Sequence, residues 1–85
     1  MTEKQIGKVT HFFGKISVAI IEITDESLAV GDTIHIKGHT SDLTQKVESM
    51  QIEHQIIQKA EKGQSIGIKV STHVRPDDIV YKVIE

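Results

Sequence analysis

The chain has 85 residues, with ten Lys and Arg against twelve Asp and Glu and a formal net charge of −2. That length predicts a single domain over 1–85 with little apolar area to spare, since a chain so short buries only about 60–65% of the surface its unfolded form exposes. The absence of cysteine excludes a disulfide framework and a thiolate zinc site, and the interspersed, slightly acidic charge excludes a general electrostatic grip on phosphate backbones.

The first residues, MTEKQIGK, are polar, and the longest apolar run, Val18 to Ile21, is far too short for a signal-peptide core or a membrane span. The expectation is therefore a cytoplasmic protein that makes no membrane contact. Apolar residues recurring with period two mark strands, because alternate side chains of a strand point to opposite faces. Ile16, Val18 and Ile20 share one phase, whereas Ile21 and Ile23 take the other. Such a slip predicts a β-bulge at a barrel corner. Ile34 and Ile36 alternate with His35 and Lys37. Ile66, Ile68 and Val70 alternate with Gly67 and Lys69, and Tyr81 and Val83 with Val80 and Lys82. Turn formers separate these runs: Gly14, Val30-Gly31-Asp32, Gly38, Lys62-Gly63-Gln64 and Arg75-Pro76-Asp77-Asp78. Gly31 and Gly63 are expected at positive φ, and Gly67 where a neighbouring chain approaches a strand.

Residues 42–61 admit two readings. Leu43, Val47, Met50 and Ile57 fall at helical spacing behind Ser41 or Asp42 as an N-cap, while Met50, Ile52 and Ile56 alternate with Gln51 and Glu53 as they would in strands.

Val47, Ser49, Met50, Ala60, Gly63 and the triplet Ile66-Gly67-Ile68, together with IGKV at 6–9 and VGDTIHIKG at 30–38, resemble the second domain of the translation GTPases. The likeness is to elongation factor Tu, the selenocysteine-specific elongation factor and initiation factor two, and it extends over nearly the whole chain. It implies an all-β fold, a small closed antiparallel barrel of six to seven strands, and so strands rather than a helix over 42–61. Its matched positions are structural glycines and core residues, which speak to fold more than to function. The chain departs from those factors in lacking a G-x-x-x-x-G-K-[ST] loop, which excludes nucleotide binding of the GTPase kind. It also carries Gln51 where elongation factor Tu has a tRNA-contacting arginine, and THFFGK at 10–15 in place of a short glycine hairpin.

No residue pattern marks a catalytic centre, and no enzyme activity is expected. His11, His35, His39, His54 and His73 form no metal spacing, Asp77-Asp78 reads as turn chemistry after Pro76, and neither a metal nor a cofactor is expected. The candidate binding residues are Phe12 and Phe13, one of which must face away from the core, with Lys37, His73 and Arg75 as cationic or flat partners. The resemblance implies a stand-alone binding module, translation elongation factor-like, that contacts RNA (tRNA or rRNA) or a translation-associated protein. The alternative is a protein-interaction subunit that completes a larger enzyme, like the C-terminal barrel of collagenase-like peptidase families.

Overall fold

β-Branched residues at alternate positions and turn formers between them produce strands throughout the computed structural model, which describes residues 2–84. In chain order these are β1 (Thr2–Phe13), β2 (Val18–Ile23), β3 (Leu28–Ala29), β4 (Thr33–Lys37), β5 (Asp42–Lys46), β6 (Met50–Ile52), β7 (Gln55–Ile57), β8 (Lys59–Ala60), β9 (Ser65–Lys69) and β10 (Ile79–Ile84). Eight of them form one antiparallel sheet in the order β5-β4-β10-β1-β2-β9-β6-β7, and β3 pairs with β8 in a small ribbon.

The all-β antiparallel expectation is met, with no helix among the described residues. The expected closed ring is not: the ladder ends at β5 and β7, and the main sheet has eight strands rather than six or seven. Between β5 and the end of β9 a side chain stands where a ladder would. The Gln45 amide nitrogen donates to the Lys69 carbonyl at 2.8 Å, and its oxygen accepts from the Ser71 N–H at 3.0 Å.

The helical alternative for 42–61 loses because a turn interrupts its stripe. Glu53 and His54, both at positive φ (48° and 67°), form a two-residue hairpin loop that sets Ile52 opposite Gln55. Leu43, Val47 and Met50 reach the core from extended chain, whereas Ile56, on the far side of that turn, is exposed. Gly31 and Gly63 take the expected positive φ.

β1 shapes the sheet. Its first half pairs with β10 and its second half with β2, with a register shift between Gln5 and Gly7 on one side and between Val9 and His11 on the other. Each shift is a bulge that leaves one residue unopposed and bends the strand. At the first bulge the Ile6 carbonyl accepts from the N–H groups of Thr24 (2.8 Å) and Asp25 (3.1 Å). At the second the Thr10 hydroxyl donates to the Ile20 carbonyl at 3.2 Å. The phase slip at Ile20-Ile21 is therefore opposite a bulge, but the extra residue belongs to β1, and β2 itself runs in unbroken register against β9. Ala19, Ile21 and Ile23 are its core face; Val18 and Ile20 lie on the outer one. The bent sheet wraps a core in which Ile6, Val9, Ile34, Ile36, Met50, Ile66, Ile68 and Val80 are fully or almost fully buried. On β10 the core residue is Val80, while Tyr81 and Val83 are half-buried.

A polar clamp ties three strands at the rim. The His35 ring on β4 is within 2.8 Å of a Glu3 carboxylate oxygen through Nδ1 and 2.5 Å of Asp42 through Nε2, and its side chain is only 14% exposed. The hydrogen bond to Glu3, then that to Asp42, raises its pKa above the ordinary value near 6.5, with partial burial opposing. Because the folded-state value is the higher one, the clamp stabilises fully below about pH 6.5 and is lost as pH rises through the folded value.

Two outcomes follow. A Cβ on Gly7 would lie 2.2 Å from the Glu22 carbonyl oxygen, so Gly7→Ala must push β1 off β2; a loss of about 2 kcal/mol or more is expected in urea denaturation, and an unchanged midpoint would contradict the close approach. The stability of the wild type is expected to fall more between pH 6 and pH 9 than that of His35→Gln, read from urea midpoints at both pH values; equal slopes would mean that the clamp contributes nothing.

Candidate interaction surface

Register places the outward side chains of five neighbouring strands in one row. His11 on β1 opposes Ile20 on β2, Ile20 opposes Gly67 on β9, Gly67 opposes Gln51 on β6, and Gln51 opposes Ile56 on β7. One step along, Phe13 opposes Val18. The turn after β1 adds Ile16, with Ser17 at a φ of 54° leading into β2. Ile16, Phe13 and Ile56 are 61%, 50% and 70% exposed, which is unusual for such large apolar side chains in a chain so poor in apolar area.

Within this face is a groove of about 370 Å³, half-open to solvent. Its apolar wall is Phe13, Ile16, Val18 and Ile20, and its rim carries Gln51, Glu53, His54 and Ser65. Gly67 forms the floor: a Cβ there would lie 3.3 Å from Val18 Cγ1 and 3.6 Å from Ile20 Cδ1, so a side chain would begin to fill the groove. A second concavity of about 320 Å³, beside Gln45, is bordered by Lys46, Glu48, Ser49, Lys69, Val70 and Ser71.

The residues singled out from sequence are only partly brought together. Of the two adjacent rings, Phe13 faces outward, 6.5 Å from and nearly parallel to the His11 ring. Phe12 is half-buried against the core and meets His73, ring centroids 4.5 Å apart and tilted 56°. His73 and Arg75 belong to the loop between β9 and β10, anchored by the buried Val74. The Arg75-Pro76-Asp77-Asp78 stretch is a turn: Asp78 N–H donates to the Arg75 carbonyl (3.2 Å), Asp77 has a φ of 76°, and the buried Asp78 carboxylate accepts from the Arg75 N–H at 2.9 Å. Lys37, at the end of β4, is exposed opposite Ile79. Neither Lys37, His73 nor Arg75 borders the groove. Among the described residues no three His, Asp or Glu side chains are grouped to hold a metal ion.

Sequence reasoning missed Ile16, Val18, Ile20, Ile56 and Gly67 as a surface because it took the change of phase at Ile20-Ile21 as a bulge rather than as apolar residues on both faces of one strand. The signal was there: the stretch 18–23 is apolar in both phases, which in an antiparallel sheet means that both faces are covered or available for cover.

No protein-family profile matches the chain. It is 43% identical over 82 residues, 95% of its length, to an uncharacterized protease of Methanocaldococcus jannaschii, and 42% identical over 78 residues, 91% of its length, to a collagenase of Porphyromonas gingivalis. It spans only about a fifth of each of these curated relatives, 20% and 22%. Among solved structures, the C-terminal domain of a Geobacillus thermoleovorans protein assigned to the U32 peptidases superposes with a TM-score of 0.87 at 19% identity, covering 95% of this chain and 93% of that one. GDP-bound aIF5B from Aeropyrum pernix matches with a TM-score of 0.67 at 13% identity, over 15% of its own chain.

These findings correct the assignment to the translation factors. The relatives at high identity are a protease and a collagenase, and the translation GTPase shares only the fold, at lower likeness. The residues behind that assignment, the turn and strand glycines and the core positions, are required by the backbone that both groups share. The translation elongation factor-like and RNA-binding reading falls with it. The second expectation, a likeness to the C-terminal domain of collagenase-like peptidases, is the one these comparisons bear out.

Proposed function

We propose that this chain is a non-catalytic protein-interaction domain of the cytoplasm that completes a collagenase-like peptidase. It fills the place that the matched fifth fills in the relatives. The observation that carries this reading is identity of 42–43% over more than nine-tenths of the chain to a segment that is only about a fifth of a protease or collagenase. Catalysis is assigned to the remaining four-fifths. Two features support that division. The buried Asp78 carboxylate is taken up by its own turn, and both ring nitrogens of His35 are occupied by carboxylates, so neither is poised to move a substrate's proton. In the same reading the bent sheet acts as a barrel, with the seam between β5 and β9 spanned by the Gln45 amide in place of a ladder.

The test is to mix the purified chain with the Porphyromonas gingivalis collagenase from which the matched 78 residues have been removed, its folded state verified by circular dichroism, and to measure mass by light scattering after gel filtration. A one-to-one complex is expected. Separate elution at micromolar concentrations, or peptidase activity from the chain alone, would overturn the reading.

A further inference from the structure

Resting on that reading, we infer that the outer face of β1, β2, β9, β6 and β7 is the docking surface, and that its groove over Gly67 receives a bulky apolar side chain from the peptidase polypeptide. Four observations converge on this face. Phe13, Ile16 and Ile56 are half or more exposed, and Val18 and Ile20 lie between them on the same side of the sheet. Gly67 has no positive φ to demand a glycine, yet a side chain there would meet Val18 and enter the groove, so its absence keeps the depression open. The hairpin turn that sets β7 against β6 holds two adjacent non-glycine residues, Glu53 and His54, at positive φ, and both form the rim. The chemistry, an apolar centre with a rim of Gln51, Glu53, His54 and Ser65, is that of a protein interface rather than of an anion or nucleic-acid site.

The occupant follows from length. Relatives carry about four-fifths of their residues outside the matched segment, so a large polypeptide surface accompanies this domain wherever it is matched. An unpartnered apolar face on a domain this small is accounted for by cover from that surface. The net charge of −2 argues against an anionic lipid surface as the cover.

The test uses the truncated collagenase described above as the binding probe. Isothermal titration compares the wild-type chain, the double variant Ile16→Glu/Ile56→Glu, and the control Lys37→Glu/Arg75→Glu, which alters exposed residues away from the groove. Melting temperatures within a few degrees of the wild type identify folded variants. The expected result is binding weakened at least about tenfold by the double variant and unchanged by the control. Because a variant could unfold, isoleucine-methyl NMR of the wild-type chain is recorded in parallel: the methyls of Ile16, Ile20 and Ile56 are expected to shift on adding the probe, with Ile84 unmoved. Wild-type binding that survives the double variant and leaves those methyls unmoved overturns this surface while leaving the proposed function standing. No binding by the wild type overturns both. Concentration-dependent dimerisation of the chain alone, abolished by the double variant, would assign the face to a second copy and overturn the peptidase as its occupant.

Discussion

The architecture depends on how β1 shares itself between two neighbours. A twelve-residue strand that stayed straight would hold β10 and β2 in one flat layer, and 85 residues cannot cover both faces of such a layer. The bulges at Ile6 and Thr10 bend it twice, in opposite halves, so that the sheet curls round a single core. Gly7 makes that bend feasible because it permits backbone-to-backbone contact with Glu22 at a spacing no Cβ would allow. The Ile6 carbonyl at the first bulge accepts from the chain leaving β2, and Val9, beside the second, donates to the Asp78 carbonyl and accepts from the Asp77 N–H, so both bends are tied to neighbouring chain.

That curvature has a consequence for surface chemistry. β2 and β9 sit between the bulged strand and the β6-β7 hairpin, and their inward side chains saturate the small core. Apolar residues of the opposite phase have nowhere to go but outward, where Val18 and Ile20 join Phe13 and Ile16. A hydrophobic outer face costs solubility and adds nothing to the fold, which is the physical reason for reading it as a contact surface.

Much of the fold was legible in the residues. Ile34 and Ile36, and Ile66, Ile68 and Val70, are buried as their alternation implies, and Gly31 and Gly63 turn the chain as expected. The helix-or-strand ambiguity at 42–61 could not be settled locally, because the feature that decides it is a turn at Glu53-His54 without the glycine or asparagine that would announce it. The surface was less legible. Burial of Ala19, Ile21 and Ile23 rather than Val18 and Ile20 is fixed by register against β1 and β9, which periodicity cannot reveal when both phases are apolar. The assignment to a family went astray for a related reason: positions imposed by backbone geometry recur in every family that uses that backbone, and only the overall identity separates them.

Gln45 gives the sheet a place of least resistance. The β4-β5 and β2-β9 pairings each run over five residues, whereas β5 is fastened to the end of β9 by two hydrogen bonds from one side-chain amide. A side chain rather than a ladder therefore bridges these two elements through exposed hydrogen bonds, and water competes for both of them as it does not for those within the ladders on either side.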